Sequence, residues 1–274
     1  MKYSYSQALV TGGAGFIGSH IVDRLLEKEI EVTAFDNLAT GSLENIKVHE
    51  RNRAFNFLKG DIRDANMVRR AIRDIDVVFH EAAFVGTLQS VKEPLLTNDV
   101  NVNGTLTLLE AAVKSDVKRL VFASSAAVYG EQKHMPINEG ALPIPNSPYA
   151  ASKLAAEAYV TAYMRAFGLN STCLRYFNVY GQRQNSFYGT AISAFAECLF
   201  RNRPPVVYGD GKQTRDFVNI KDVVDVNILA MEKSCPGEIL NVATGSSIAI
   251  DKLLKILQKK LLTKPLVGVI LLSM

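Results

Sequence analysis

A glycine-rich segment near the start of the chain limits its fold more than any other feature. The segment, Val10–His20, follows a short apolar run and opens an amphipathic stretch, as when a strand turns into a helix. Gly12 allows the tight turn, Gly15 lets the backbone approach a pyrophosphate, and Gly18 lets the helix pack closely on the sheet. The helix N-terminus offers free N–H groups to phosphates. The segment predicts a dinucleotide site, with an ordinary strand-to-helix turn as the alternative.

Short apolar runs alternate with amphipathic stretches over the first two thirds of the chain. Strands separated by helices indicate βαβ units in a parallel sheet, and right-handed crossovers make that sheet doubly wound. We therefore predict an α/β fold of the Rossmann type. The predicted strands are Ala8–Val10, Glu31–Phe35, Val77–His80, Leu120–Ala123 and Cys173–Tyr176, and the predicted helices are Ile17–Glu29, Ala65–Arg73, Val100–Ser115 and Tyr149–Phe167.

Two acidic residues lie where a dinucleotide is expected to bind. One ends a predicted strand, and the other follows an apolar run. Asp36 ends the second strand, where a carboxylate can accept hydrogen bonds from the adenosine ribose. Its charge would repel a 2′-phosphate, so NAD is favoured over NADP, and a solvated strand-end carboxylate is the alternative. Asp61 follows the next apolar run and is expected at the sheet edge, near the adenine.

The alternation weakens after Gly181, which divides the chain. We predict an NAD-binding Rossmann domain over residues 1–181, joined by a strand at Glu238–Val242, and a smaller substrate-binding lobe over residues 182–274. In that lobe residues 182–217 are expected to be partly loops, with helices at Asp222–Lys233 and Ile250–Leu262. The apolar tail, Pro265–Met274, is too short to span a bilayer. It is expected to be a last strand, or the product of a truncation or frameshift.

The composition excludes several classes of protein. With 48% hydrophobic and 21% charged residues the chain is not mainly disordered. The net charge of +4 is small and its charges are interspersed, so no nucleic-acid partner is expected. Cys173, Cys198 and Cys235 form no metal-binding or disulfide pattern. No signal peptide and no membrane-length apolar run is recognisable, so a cytoplasmic protein without a metal is expected.

Three hydroxyl and amine side chains indicate proton chemistry. Tyr149 and Lys153 lie four residues apart at the start of a predicted helix and share a face. A phenol titrates near 10 in water, and a nearby ammonium or a cationic nicotinamide should lower that pKa toward a working base. Ser125 follows the fourth predicted strand and can hydrogen-bond the oxygen that loses its proton. Each feature alone is common on protein surfaces, whereas their combination predicts a catalytic site.

With these motifs the chain resembles the extended short-chain dehydrogenase/reductase superfamily. The resemblance is to its NAD-dependent nucleotide-sugar epimerase/dehydratase family, nearest to the UDP-glucose 4-epimerase type, and covers roughly residues 7–262. The motifs are TGGAGFIG at 11–18, FDN at 35–37, GDIRD at 60–64, HEAA at 80–83, NVNGT at 101–105, SSAAVYG at 124–130, YAASK at 149–153, LRYFNVYG at 174–181 and YGDGKQTRDF at 208–217.

The resemblance implies roles for residues that match the motifs. Ser125, Tyr149 and Lys153 would be the catalytic trio, and Ser125 and Tyr149 would also touch the sugar. Asn178 and Arg215 would hold the substrate diphosphate, while Val206 and Tyr208 would flank the uracil. The implied NAD-binding residues are Gly12, Gly15, Phe16, Ile17, Gly18, Asp36, Asn37, Gly41, Asp61, Ile62, Ala82, Ala83, Asn101, Tyr149, Lys153 and Tyr176.

The implied reaction is epimerisation of a UDP-hexose at C4 through a transient 4-keto sugar. Ala126 and Ala127 stand where family dehydratases carry an acidic pair and decarboxylases carry a Glu, so both chemistries are disfavoured. The alternatives are another nucleotide-sugar enzyme, such as a UDP-glucuronate or UDP-N-acetylhexosamine epimerase, a decarboxylase, a dehydratase or a reductase, and an inactive, truncated NAD-binding homologue. The family's C-terminal Arg and acidic residue have no counterpart in Thr263–Met274, so this lobe is expected to be truncated.

Two predicted helices carry small or apolar residues outside one core-facing stripe. A helix that is apolar on two sides needs a second partner, and the resemblance implies a four-helix bundle across a twofold axis. We therefore expect a homodimer, with a helix buried inside one subunit as the alternative. The residues are Leu106, Leu109 and Ala112 on the first helix, and Leu154, Ala158 and Ala162 on the second.

Overall fold

The computed structural model describes residues 5–185, 191–233, 235–261 and 270–272. The chain divides into two compact units, Met1–Tyr176 with Lys221–Val242, and Phe177–Ile220 with Ala243–Met274. The chain therefore leaves the first unit after Tyr176 instead of Gly181. Residues Lys221–Val242, which include most of a helix as well as the predicted strand, belong to the first unit again.

The part of the chain that the structure describes contains the following strands and helices. The strands are β1 (Gln7–Thr11), β2 (Glu31–Asp36), β3 (Phe55–Lys59), β4 (Val77–His80), β5 (Arg119–Ser125), β6 (Ser171–Tyr176), β7 (Asn178–Tyr180), β8 (Val206–Tyr208), β9 (Thr214–Asn219), β10 (Ile239–Val242), β11 (Ser247–Ala249) and β12 (Ile270–Leu272). The helices are α1 (Phe16–Glu27), α2 (Ala65–Ala71), α3 (Thr87–Lys92), α4 (Pro94–Asn98), α5 (Gly104–Lys114), α6 (Pro148–Phe167), α7 (Ala191–Phe200), α8 (Ile220–Glu232) and α9 (Ile250–Leu261).

The first unit is built on a seven-stranded sheet in the order β10-β6-β5-β4-β1-β2-β3. Every neighbouring pair is parallel, which confirms the predicted doubly wound α/β fold. The central strands β4 and β5 are buried on both faces, and this explains their continuous apolar sequences. The strand order reverses between β1 and β4, the kind of switch point at which open α/β sheets bind ligands.

Some elements of the first unit were not predicted. Strand β3 lies at the edge of the sheet and is only half-buried, so polar residues such as Asn56 interrupt its apolar pattern. The short helices α3 and α4 follow each other directly, and Pro94 occupies the first turn of α4. A proline there needs no N–H partner, so it starts a helix although it commonly signals a break.

The second unit has more regular structure than its Gly- and Pro-rich sequence indicated. Strands β7, β9 and β11 form one sheet, and β8 pairs in parallel with β12. Helices α7 and α9 pack over a small core that includes Phe195, Val207 and Leu253. The strand expected in the tail occurs at Ile270–Leu272, whereas Leu262, residues 263–269 and residues 273–274 lie outside the described residues, as do residues 186–190 of the expected loop region.

The helix faces assigned to a second subunit are only partly free. Leu109 and Ala112 are fully buried in the core of this chain, so their assignment to a partner-facing surface is wrong. Both belong to the same core cluster as the strand residues Leu9 and Val78. Leu106 and Leu154 are half-buried, and Ala158 and Ala162 are exposed.

Candidate active site

The glycine turn joins β1 to α1 at the carboxyl edge of the sheet. Gly12 has φ +68°, a backbone conformation that favours glycine, and the Gly15 N–H donates to the Gly12 carbonyl at 2.9 Å. A Cβ at Gly18 would lie 2.2 Å from the Gly12 carbonyl oxygen. Helix α1 begins at Phe16 and Ile17 with no side chain capping its first turn. The N–H groups of that turn therefore remain available to a ligand.

Asp36 closes the adjacent strand and is almost fully buried. Its two carboxylate oxygens accept backbone N–H groups, from Ala14 at 3.0 Å and from Leu38 at 2.7 Å. Burial raises the pKa of Asp36, and these two hydrogen bonds oppose the rise. A Cβ at Gly41 would lie 3.0 Å from the carboxylate, so the loop that contains Gly41 packs tightly against Asp36. The carboxylate is thus fixed in place beside the glycine turn.

Asp61 lies in a charged network after β3. Its carboxylate accepts hydrogen bonds from Asn37 at 3.0 Å and from Arg63, which also pairs with Asp99 at 2.9 Å. Arg63 holds the pKa of Asp61 well below its usual range. Ile62, by contrast, is buried against Gly104 at the start of α5. This part of the site therefore presents an ionised carboxylate to solvent.

The loop after β4 carries Ala82 and Ala83 and is held by two polar residues. The Ala82 N–H donates to the Thr11 hydroxyl at 3.2 Å. Asn101 is buried, accepts from the Phe84 N–H at 2.7 Å and donates to the Ser152 hydroxyl at 2.9 Å. In the structure the Asn101 amide thus ties this loop to α6.

Ser125, Tyr149 and Lys153 meet where β5 ends and α6 begins. Ser147 caps the first turn of α6 through the Ala150 N–H, which fixes the orientation of Tyr149 two residues later. The buried Lys153 ammonium donates to the Ala123 carbonyl at 2.8 Å. The Tyr149 hydroxyl hydrogen-bonds Ser125. The predicted trio therefore forms one cluster at the carboxyl edge of the sheet.

The pKa of Tyr149 shifts in the opposite direction from the one expected. Burial raises the pKa of the Tyr149 phenol and the charge of Glu81 adds to the rise, while the hydrogen bond with Ser125 opposes it. The expectation that Lys153 lowers this pKa is therefore wrong for the protein alone, because burial outweighs it and the ammonium is directed at Ala123. Burial also lowers the pKa of Lys153 to about 8, against the opposing charges of Glu81 and Glu157.

Two further polar residues, Glu81 and Asn227, belong to this cluster, and neither was predicted from the sequence. The Tyr176 hydroxyl contacts the Glu81 carboxylate at 2.9 Å and the Asn227 side chain at 2.7 Å. Glu81 stands in the HEAA motif, so its place was visible in the sequence although its function was not. Asn227 comes from α8, far along the chain, and carries no sequence signal.

The four residues expected to bind the nucleotide part of the substrate lie in the second unit. Asn178 donates to the Asp216 carbonyl at 2.9 Å, beside the exposed Arg215. Val206 and Tyr208 share one face of β8, whose other face buries Val207. Tyr208 is 56% exposed, so its ring is free of the core and available to stack. The structure thus groups these residues into two pairs.

Among the described residues, no helix is long and apolar enough to cross a membrane. In the same part of the chain, no group of three or more His, Cys, Asp or Glu side chains is arranged to hold a metal ion.

The arrangement at the sheet edge is that of an extended short-chain dehydrogenase/reductase, a class that uses nicotinamide cofactors. Within this class the chain belongs to the NAD dependent epimerase/dehydratase family, whose family model matches residues 8–243. It is an NAD-dependent enzyme that acts on nucleotide sugars. The family resemblance seen in the sequence is thereby confirmed.

Three relatives illustrate the range of the family. A putative UDP-glucose 4-epimerase from Methanocaldococcus jannaschii is 42% identical over 92% of this chain and 82% of its own length. The structure of a UDP-N-acetylglucosamine 4-epimerase from Methanobrevibacter ruminantium has a TM-score of 0.93 and 38% identity, and the match covers 100% of this chain and 86% of that one. A dTDP-glucose 4,6-dehydratase from Streptomyces venezuelae with NAD bound has a TM-score of 0.92 and 33% identity over 97% of this chain and 84% of its own.

The residues at the sheet edge fit the NAD of this family. Side chains at Gly12 or Gly18 would collide with backbone atoms and one at Gly15 would be crowded, so the turn keeps an open backbone surface next to the uncapped start of α1. Phosphates bind such surfaces through N–H groups. The fixed carboxylate of Asp36 lies at the end of the next strand, where a ribose can donate hydrogen bonds to it.

Proposed function

We propose that this enzyme epimerises a UDP-hexose at C4, of the UDP-glucose/UDP-galactose type. The observation that carries the proposal is that Ser125, Tyr149 and Lys153 lie together and are followed by a turn that supplies no acid. That turn begins with Ala126 and Ala127. Their methyl groups cannot exchange protons at C5 or C6, so elimination of water has no catalyst there.

Each residue of the cluster has a defined task in the proposed reaction. Tyr149 takes the proton of the sugar 4-hydroxyl and later returns it to the 4-keto oxygen. Ser125 donates a hydrogen bond that orients that oxygen, and Lys153 supplies positive charge beneath the phenol. NAD, which the glycine turn and Asp36 would hold, would supply the hydride chemistry at C4. Because hydride leaves and returns at one carbon, the protein must let the sugar present both of its faces.

The second unit is proposed to hold the UDP portion. The Arg215 guanidinium and the Asn178 amide suit a diphosphate, because a guanidinium binds phosphate oxygens through two parallel hydrogen bonds. Tyr208 and Val206 offer a flat, partly apolar face to the uracil. The first unit is correspondingly proposed as the NAD-binding domain.

Turnover of UDP-galactose tests the proposed function directly. The purified, NAD-loaded protein should convert UDP-galactose to UDP-glucose without net NADH formation, as followed by proton NMR of the anomeric signals. UDP-N-acetylglucosamine, UDP-glucuronate and dTDP-glucose serve as parallel substrates. A 4-keto product that accumulates from dTDP-glucose, without any C4 epimer from the UDP sugars, would contradict the proposal and favour a dehydratase.

We expect Asp36→Ala to relax the preference for NAD over NADP. The wild-type carboxylate repels a 2′-phosphate and accepts hydrogen bonds from an unmodified ribose, and the methyl group does neither. Calorimetry should show weaker NAD binding and a smaller difference between the two cofactors. Asp210→Ala, which removes an exposed carboxylate, should leave both affinities unchanged. Wild-type protein that binds NADP as tightly as NAD would remove the basis for this role.

We propose that the enzyme is a homodimer that pairs through α5 and α6. These helices pack against each other, and α6 exposes Ala158, Ala162, Tyr159 and Phe167. Light scattering at micromolar concentration should give twice the mass of the chain. The double variant Ala158→Arg with Ala162→Arg should give the mass of one chain, because the arginines of one subunit would lie opposite those of the other and repel them. A wild-type protein with the mass of one chain would contradict the pairing.

A further inference from the structure

Glu81 has a carboxylate that the proposed reaction does not use, and it lies beside the catalytic cluster at the carboxyl edge of the sheet. Glu81 directly follows β4, and its N–H donates to the Thr11 carbonyl of β1 at 3.2 Å. Its side chain reaches the Tyr176 hydroxyl of β6 at 2.9 Å. Since β5 lies between β4 and β6, this hydrogen bond crosses the carboxyl end of β5. Ser125 and the Ala123 carbonyl that holds Lys153 are at that same end.

The partners of Glu81 can satisfy it in either protonation state. Tyr176 contacts both amide atoms of Asn227, with Nδ2 at 2.7 Å and Oδ1 at 3.0 Å from its hydroxyl. When Glu81 is ionised, Tyr176 accepts from Nδ2 and donates to the carboxylate. When Glu81 is protonated, it donates to Tyr176, which then donates to Oδ1. Asn227 also donates to the Val223 carbonyl at 2.8 Å, which fixes the amide.

Few other charges act on this carboxylate. Lys153 and Tyr149 face it from α6, Tyr176 from β6 and the neutral Asn227 from α8. Glu157, which acts on Lys153 from one turn further along α6, is neutralised by Arg175 at 3.0 Å. The adjacent His80 is neutral because burial lowers its pKa to about 3. Burial raises the pKa of Glu81 to about 7, against the effects of Tyr176 and Lys153.

We propose that Glu81 is a positioning residue that sets the charge of the catalytic cluster: its carboxylate, held by Tyr176, balances the Lys153 ammonium and opposes ionisation of Tyr149. The proposal rests on the proposed function for the role of Tyr149. With Glu81 ionised, the ammonium is offset and the phenol keeps its proton. With Glu81 protonated, the unbalanced ammonium favours the phenolate. Glu81 itself transfers no proton to the sugar.

Glu81→Gln tests the proposal because it keeps the shape and an acceptor for Tyr176 while it removes the charge. The Tyr149 phenol should then titrate at lower pH, by on the order of one pH unit. Tyrosinate absorbance of the NAD-loaded protein measures this titration. Subtracting the same variant with Tyr149→Phe isolates one phenol from the other tyrosines. Glu81→Asp, which restores the charge, should return the titration toward that of the wild type.

The pH profile of turnover provides a second measurement. Glu81→Gln should move the whole profile to lower pH, since Tyr149 and Lys153 both lose a neighbour that raises their pKa values. A lost hydrogen bond alone would lower the rate without moving the profile. Tyr176→Phe should raise the pH at which Glu81 itself titrates, because it removes the hydrogen bond that favours the carboxylate.

The outcomes separate this inference from the proposed function. A Tyr149 titration that stays at the wild-type pH, or rises, in Glu81→Gln overturns the inference. If Glu81→Gln does not fold, Glu81→Ala removes the same charge, and an unshifted Tyr149 titration in that variant overturns the inference equally. The titration needs no sugar, so a shift to lower pH in a protein that turns over no UDP-hexose would support the charge-setting role and reject the epimerase assignment.

Discussion

Tyr149→Phe should reduce turnover by on the order of a hundred- to ten-thousand-fold while NAD stays bound. The ring still packs at the start of α6, but the oxygen proposed to take the sugar proton is gone, and loss of a general base has effects of this size. Steady-state kinetics with UDP-galactose measures the loss, and calorimetry measures NAD affinity. Tyr163→Phe on the same helix is a matched control, since Tyr163 donates to Glu110 at the surface, away from the cluster.

The order of severity tests the assigned roles. Ser125→Ala removes one orienting hydrogen bond and leaves the base in place, so it should cost less than Tyr149→Phe. If Ser125→Ala were the more damaging change, the two roles would be misassigned. If neither change altered turnover of any UDP-hexose, epimerase chemistry at this site would be wrong.

Lys153→Met should reduce turnover about as much as Tyr149→Phe does, and it should also weaken NAD binding. Methionine fills the space of the lysine stem, so the change isolates the charge and its hydrogen bond to Ala123. We expect the charge to matter for both the phenol and the cofactor, whose ribose the family resemblance places near this ammonium. Lys114→Met, at an exposed site on α5, should behave as the wild type. Unchanged turnover in Lys153→Met would contradict the role.

The same variant has a signature in thermal stability that needs no substrate. The pKa of Lys153 falls from 10.5 to about 8 on folding, so the unfolded chain binds more protons between those values. The free energy of unfolding of the wild type should therefore rise as the pH increases through this range, by about 1.4 kcal/mol for each pH unit. Lys153→Met should lack this gain. If the stabilities of the wild type and of Lys153→Met changed with pH in parallel across this range, the burial of a titrating lysine would be contradicted.

The sequence predicted the elements whose patterns are local. Buried parallel strands such as β1, β4 and β5 are continuous apolar runs, and the glycine turn has the residues that its backbone requires. Edge strand β3 escaped because only half of it is buried, which weakens the pattern. The short strands of the second unit, such as β7 and β8, escaped because they obtain their stability from pairing, which no local pattern records.

The candidate site was predictable only where one motif contains the chemistry. Tyr149 and Lys153 share a helix face, so their spacing revealed them. The contact of Glu81 with Tyr176 and Asn227 joins three distant parts of the chain, and burial, which governs the pKa values of Tyr149 and Lys153, depends on the whole fold. The sequence therefore indicated the candidate groups but gave the wrong direction for the pKa shift of Tyr149 in the protein alone.

The most direct test of the account uses UDP-galactose deuterated at C4. The central claim is that one hydride leaves C4 and returns to C4 within one site. The product should be UDP-glucose that retains deuterium at C4, with no label on released NADH, as read by NMR and mass spectrometry. Deuterium found on another sugar carbon, on released cofactor or in solvent would contradict it.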